Sequence, residues 1–245
     1  MRALLLLMLC GTAAADPIVL KRGEIDAALT IESNLAPSGG VTKPLSFAPD
    51  VWYGVTDELT LGIIHSDASL DHIEPGASLC VRTDDFICTE AYRGSGLDAL
   101  YQVLHGEISL AARARFLIRD VDPWKPALTL GALARWQRGR YEITADPYLQ
   151  LGLTNRSLGN RAELWLPVVL SIAPWCGWWL DLHTGWNSDW AIITEDGWHV
   201  PVGFGTRADV TKTVRLGAMF GFTSLLGPQN NPKQRVLFLS VEWHD

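Results

Sequence analysis

Beyond its first dozen residues the chain has no continuously apolar stretch. A membrane-spanning helix needs roughly 20 consecutive apolar residues, so a bundle of such helices is excluded. Lys and Arg form no cluster and the formal net charge is -7. A nucleic-acid partner is therefore disfavoured. No metal-ligand spacing, phosphate loop or dinucleotide fingerprint occurs, so neither metal nor cofactor is expected. Gly203-Phe204-Gly205 falls within an extended segment and reads as close backbone packing. His65, His72, His105, His199 and His244 are scattered and read as ordinary polar or interfacial residues.

Four cysteines are present. The first, Cys10, lies in an N-terminal segment with a charged start (Met1-Arg2), an apolar core (Ala3 to Leu9) and small residues at Ala13-Ala14-Ala15. That order predicts a signal peptide over 1–15, with one domain over 16–245. The alternative is a buried N-terminal helix. Leu9 before Cys10 is too bulky for a lipoprotein signal. Export brings the chain into an oxidising compartment. Cys80 and Cys88 bracket a polar stretch and are a disulfide candidate, free thiols being the alternative. Cys176 is left over.

What the chain has in abundance is alternation. From Tyr141 to Thr154 the residues Tyr141, Ile143, Ala145, Pro147, Leu149, Leu151 and Leu153 share one face. Glu142, Thr144, Asp146, Tyr148 and Gln150 share the other. Period two over that length is a β-strand, with Pro147 marking a break. The same pattern runs through 107–120, 161–174, 198–211 and 214–226. These runs exceed the usual soluble strand of about 5–6 residues and suit a tilted membrane strand of about 9–11. Twelve strands are predicted: 23–35, 43–55, 59–67, 91–104, 107–120, 125–138, 141–154, 161–174, 177–189, 198–211, 214–226 and 234–243.

Connections after strands 2, 4, 6, 8 and 10 are tight: Thr56–Glu58, His105-Gly106, Gly139-Arg140, the Pro174–Cys176 corner and Thr211–Thr213. The others, among them Ala36–Thr42, Ala68–Glu90, Asn155–Asn160 and Gly227–Lys233, are longer and mostly richer in Pro, Gly, Asn and Asp. Val121–Trp124 is the shortest of these. Sorting of loops by parity is the habit of transmembrane barrels. The expected fold is all-β: a closed, antiparallel, up-and-down transmembrane β-barrel of about 12 strands. Closure is required because an open sheet edge in hydrocarbon leaves backbone groups unpaired.

The aromatics favour a membrane over a soluble sandwich. Tyr53, Tyr101, Trp136, Tyr141, Trp178 and Trp243 lie on apolar faces at the tight-turn ends, and Trp186 and Trp198 near the other ends. Trp and Tyr prefer membrane interfaces, where the ring is half buried and its polar atom stays wet.

The segment Asp50 to Gly62 (DVWYGVTDELTLG) resembles the strand–turn–strand unit of Gram-negative outer-membrane barrels. Arg235 to Trp243 resembles the C-terminal strand read by the barrel-assembly machinery, although His244 and Asp245 follow the aromatic residue and the usual internal Gly is missing. Among subfamilies the chain is most similar to barrels associated with phenol and hydrocarbon degradation. The resemblance implies an outer-membrane location with both termini in the periplasm, contact with outer-membrane lipids, and the assembly machinery as a biogenesis partner.

In such a barrel the polar faces line the interior. Arg113, Arg115, Arg119 and Arg135 would form a basic side. Asp26, Glu32, Asp98, Glu142, Asp146, Glu163, Asp181, His183 and Asp189 would form an acidic side. Facing walls of opposite charge set a transverse field, as in selective pores. The contrary expectation is a plug of interlocking salt bridges. The expected function is a channel or transporter for small solutes. Two alternatives stand beside it: an outer-membrane lipid hydrolase using His183, Ser188, Asp181 and Asn187, and a structural or adhesion barrel displaying its outer loops. The hydrolase needs a Ser–His pair within hydrogen-bond reach. His183 and Ser188 have opposite parity, which places them on opposite faces unless a bulge intervenes.

Overall fold

The protein is described by a computed structural model covering residues 18–35, 45–65, 79–81, 95–190 and 196–245. Residues 1–15, His72 and Cys88 lie outside the described residues, and with them the signal peptide and the Cys80–Cys88 pair. Sixteen strand segments form one sheet among the described residues. Six of them are halves of three broken strands and one is a three-residue patch, which leaves twelve. In chain order these are β1 (Ile25–Asn34), β2 (Leu45–Gly54), β3 (Leu59–Ile64), β4 (Ser95–Leu104), β5 (Ile108–Val121) and β6 (Trp124–Arg138). Then come β7 (Tyr141–Ala145 with Tyr148–Gly152), β8 (Glu163–Trp165 with Val168–Trp175) and β9 (Trp178–Thr184 with Asn187–Asp189). The last three are β10 (Trp198–Asp209), β11 (Val214–Leu226) and β12 (Arg235–His244).

Each strand pairs antiparallel with its sequence neighbours, and β1 pairs with β12 from Asp26↔His244 to Asn34↔Val236. That last ladder closes the barrel and leaves no edge. The strand count and order agree with the alternation in the sequence.

Three details differ from the sequence reading. First, β3 ends at Ile64, and Leu79–Val81 takes over its place beside Leu45–Phe47 of β2. Part of the longest connection thus serves as wall. Second, β5 and β6 join through Asp122 and Pro123 alone, with Val121 opposite Trp124. That hairpin is tight, so the long-and-short alternation fails there. Third, β8 runs on to Trp175, and the ladder to β9 skips between Ile172 and Trp175. Pro174 has no N–H to give the ladder, which is where a skip is expected. The turn itself is Cys176-Gly177, with Gly177 at φ 68°. Cys176 is disulfide-bonded, which corrects its reading as left over.

Burial reverses the order of a water-soluble protein. Among the described residues 25 polar or charged side chains are buried but only 14 apolar ones. Leu61, Ile63, Leu97, Leu130, Leu170, Phe204 and Val241 are exposed on the outer surface, while Asp98, Arg115, Asp146 and Gln150 are enclosed. Unpaired buried charge is costly. The exposed leucines therefore call for a non-aqueous surround, and the buried charges call for partners inside.

One tight point in the wall is testable. A side chain at Gly96 would overlap the carbonyl of Phe116 on β5. Gly96→Ala is expected to destabilise the barrel by about 1–3 kcal/mol, as overpacking does. The measurement is the temperature at which the folded electrophoretic band converts to the unfolded one.

Candidate functional site

Among the described residues three groups of ion pairs occupy the barrel interior, with the single pairs Arg215–Asp209 and Lys125–Asp120 nearer its ends. The first spans β4, β5 and β7. Arg113 donates from Nε to Asp98 Oδ1 at 3.1 Å, from Nη2 to Asp98 Oδ2 at 2.6 Å, and from Nη1 to Asp146 Oδ2 at 2.6 Å. Arg115 donates from Nη2 to the same Asp146 oxygen at 3.0 Å and sits 3.6 Å from Asp98 Oδ1. The side chains of Asp98 and Asp146 are 0% and 1% exposed, and those of Arg113 and Arg115 10% and 3%. Two cations and two anions cancel. In a site this dry the attraction is strong, but it is set against a large desolvation cost.

The second group spans β6 to β10. Arg207 donates from Nε and Nη2 to the two oxygens of Asp181, both at 2.9 Å, and from Nη2 to Ser171 Oγ at 3.0 Å. Glu142 lies 3.3 Å from Arg207 and 3.9 Å from Arg135. The Arg207–Asp181 contact is a two-pronged fork that fixes orientation as well as distance. The third group holds Arg119 3.6 Å from Glu163 Oε1, with Gln150 Nε2 and Trp165 Nε1 both donating to Glu163 Oε2 at 3.2 Å.

The opposed walls expected from the sequence are therefore interleaved. Asp98 stands opposite Arg115 in the β4–β5 ladder, and Arg207 stands two residue pairs from Asp181 in the β9–β10 ladder. Acid and base meet across neighbouring and next-but-one strands and beyond, so the transverse field is largely cancelled at short range. Glu32 and His183 are buried in the interior. Asp26 sits at the tight-turn rim, 3.1 Å from His244 Nδ1. Asp189 sits toward the long-loop end, 3.0 Å from Arg161.

Two interior residues, Arg207 and Tyr148, stand on the polar faces that parity predicts but were not among the expected lumen-lining residues. Asp50, Trp52 and Trp165 are interior too, and nothing in the sequence singled them out. Trp52 Nε1 donates to Asp98 Oδ2 at 3.2 Å, Tyr148 and Trp165 stack 5.8 Å apart, and Arg115 lies over the Tyr148 ring. Two rings meet glycines on the neighbouring strand: Trp52 lies over Gly62, and His183 Nε2 reaches the place a side chain of Gly205 would take. A ring laid on a glycine fills the gap left by the missing side chain.

Outside, Tyr53, Tyr101, Tyr141, Trp178 and Trp243 are exposed near the tight-turn end. Trp136 is half-buried there and donates to Glu107 Oε1 at 3.0 Å. Trp175 stacks on Trp178 at 4.7 Å. Toward the other end Trp186 and Trp198 are half-buried, whereas Trp124 and Trp190 are exposed.

The hydrolase arrangement does not form. The register runs unchanged through the gap between Thr184 and Asn187, from His183↔Gly203 to Asn187↔His199, so Ser188 shares the face of Leu164 and Trp198, opposite to His183 as parity predicts, although both side chains are buried. Ser188 Oγ is held by the carbonyls of Gly197 at 3.0 Å and Asp189 at 3.2 Å.

No family model matches the chain, and no curated protein matches it by sequence. Solved structures do match. A KdgM porin, solved in complex with disordered oligogalacturonate, superposes with a TM-score of 0.58 at 6% identity, covering 89% of this chain and 98% of its own. A NanC porin gives 0.58 at 7% identity with the same coverage of both chains. An outer membrane channel from Pseudomonas putida F1 gives 0.54 at 13% identity, over 96% of this chain and 100% of that one.

The chain has the fold of Gram-negative outer-membrane β-barrels.

At these identities the likeness lies in the path of the backbone. The interior side chains must be read on their own terms.

Proposed function

We propose that the chain is a channel for small solutes in the outer membrane of a Gram-negative bacterium. One observation carries this reading: a closed ring of strands with ionisable side chains inside and exposed aliphatic ones outside. Lipid satisfies the outer face, and an outer-membrane barrel with a polar interior is built as a water path or a plugged one. The porins and the channel that share the fold support the same reading. In this proposal the tight turns and both termini face the periplasm, residues 1–15 are a signal peptide, and the barrel-assembly machinery inserts the chain. Arg113, Arg115, Arg119 and Arg135, with Glu32, Asp98, Glu142, Asp146, Glu163, Asp181 and His183, line the path. Asp26 and Asp189 guard its rims. The aromatic residues named above anchor the two interfaces. No catalytic step is assigned to the interior.

Between the rims, among the described residues, Asp50 and Glu32 add to the paired acids while Arg207 adds to the arginines. Carboxylates therefore outnumber guanidinium groups along the path. Purified barrel in a planar bilayer is expected to conduct, with a reversal potential in a salt gradient that marks preference for cations. Absence of current in the bilayer together with absence of solute uptake by vesicles counts against the channel. A preference for anions would keep the channel but reject this account of its charge.

A further inference from the structure

Two apolar clusters interrupt the polar interior among the described residues: Met219 with Val236 and Phe238 on β11 and β12, and a second that involves the chain before β1. Near the tight-turn end Ile18 and Val19 are buried against Leu100 and Ala111, with Trp52 and Leu133 packed beside them. Leu100 shares the face of Asp98, Ala111 that of Arg113, and Leu133 that of Arg135, so this cluster lies inside the barrel. The segment that supplies Ile18 and Val19 precedes β1 and belongs to no strand. It turns into the bore by a short reversal in which Glu24 N–H donates to the Lys21 carbonyl at 3.0 Å and Gly23 holds φ 91°. That φ lies in the left-handed region, which glycine adopts without penalty.

The wall is shaped to receive the segment. Leu20 N–H donates to Thr60 Oγ1 at 2.8 Å, Arg22 N–H to Asp57 Oδ1 at 3.1 Å, and Gly23 N–H to the Gly54 carbonyl at 2.8 Å. A side chain at Gly54 would overlap the carbonyl of Lys21. Three backbone donors, one glycine seat and an apolar socket in a charged bore all hold one short segment, Ile18–Gly23.

We propose that the wall lined by Trp52, Leu100, Ala111 and Leu133 is an internal binding site for the chain's own Ile18–Leu20, which there acts as a tethered plug of the channel's tight-turn mouth. The inference rests on the channel reading. Apolar burial of Ile18 and Val19 holds the plug in, and the tether lets it return without diffusion. Its floor is Trp52, whose indole N–H is bonded to Asp98, which in turn holds Arg113. The plug is thereby in contact with the first group of ion pairs.

The test uses the full chain, with the parent, Ile18→Asp/Val19→Asp and Gly54→Val compared in planar bilayers. The folded state of each is checked by its heat-modifiable electrophoretic mobility. Placing two carboxylates in the apolar socket is expected to raise the open fraction about tenfold or more. A second readout follows the seat alone: modification of Val19→Cys by a membrane-impermeant maleimide, above the background of the parent. It is expected to be slow, and about tenfold faster when Gly54→Val is added. Equal currents in parent and double-Asp variant overturn the plug and leave the channel standing. Silence of every folded variant overturns both. Rapid maleimide modification with Gly54 in place overturns the seat.

Discussion

Arg113→Ala is expected to lower the unfolding free energy of the barrel by about 3–5 kcal/mol, the usual loss when one member of a buried ion pair is removed. The side chains left behind explain the size. Asp98 and Asp146 are almost wholly enclosed, and Arg113 gives three hydrogen bonds to them. Without it, two enclosed carboxylates share the single guanidinium of Arg115. Arg113→Gln combined with Asp98→Asn removes one charge of each sign and leaves Arg115 with Asp146 at 3.0 Å. That double variant is expected to recover about 1–3 kcal/mol of the loss, the range of coupling between contacting residues. Urea unfolding in lipid vesicles, followed by tryptophan fluorescence, measures both. A loss under about 1 kcal/mol for Arg113→Ala, the range of an exposed pair, would mean that water already reaches these carboxylates.

Phe204→Arg should cost about 2–4 kcal/mol, the range for a cation near the bilayer midplane. Phe204 lies midway along β10, is 64% exposed, and has Leu182 and Phe220 opposite it on either side. In water, arginine at so exposed an aromatic position would be harmless and would aid solubility. The sign of the effect therefore separates a lipid-facing surface from a wet one. Phe204→Leu is the control and should leave the barrel within about 0.5 kcal/mol. The readout is the equilibrium between folded, membrane-inserted chain and unfolded chain. An arginine variant as stable as the leucine variant would remove lipid from this face.

Much of this architecture could be read from residue alternation. In β7 the inward set Glu142, Thr144, Asp146, Tyr148 and Gln150 follows from parity alone, because a strand side chain has only two directions. Parity runs out where a strand breaks. Between Ile118 and Val121 the ladder to β6 slips, so Asp120 is buried although Arg115 and Leu117 set the opposite parity, and nothing in the local sequence fixes where the slip falls. The ion pairs were legible only as a list of charges. Which acid meets which arginine depends on strand tilt and stagger, and those belong to the whole ring. Arg113 reaches Asp146 two strands away, a contact that no spacing between positions 113 and 146 announces. The inward turn of Ile18–Leu20 was hidden for another reason: three apolar residues before a strand look like the start of that strand.

The rings laid over glycines have a consequence for how this chain can vary. Trp52 with Gly62, and His183 with Gly205, each divide one volume between two positions. An alanine at 62 or 205 has room only if the ring opposite shrinks, and a smaller ring at 52 or 183 leaves a void only a larger partner can fill. Calibre in this barrel is thus a property of couples, and substitutions at either member should be accepted in tandem and rejected singly.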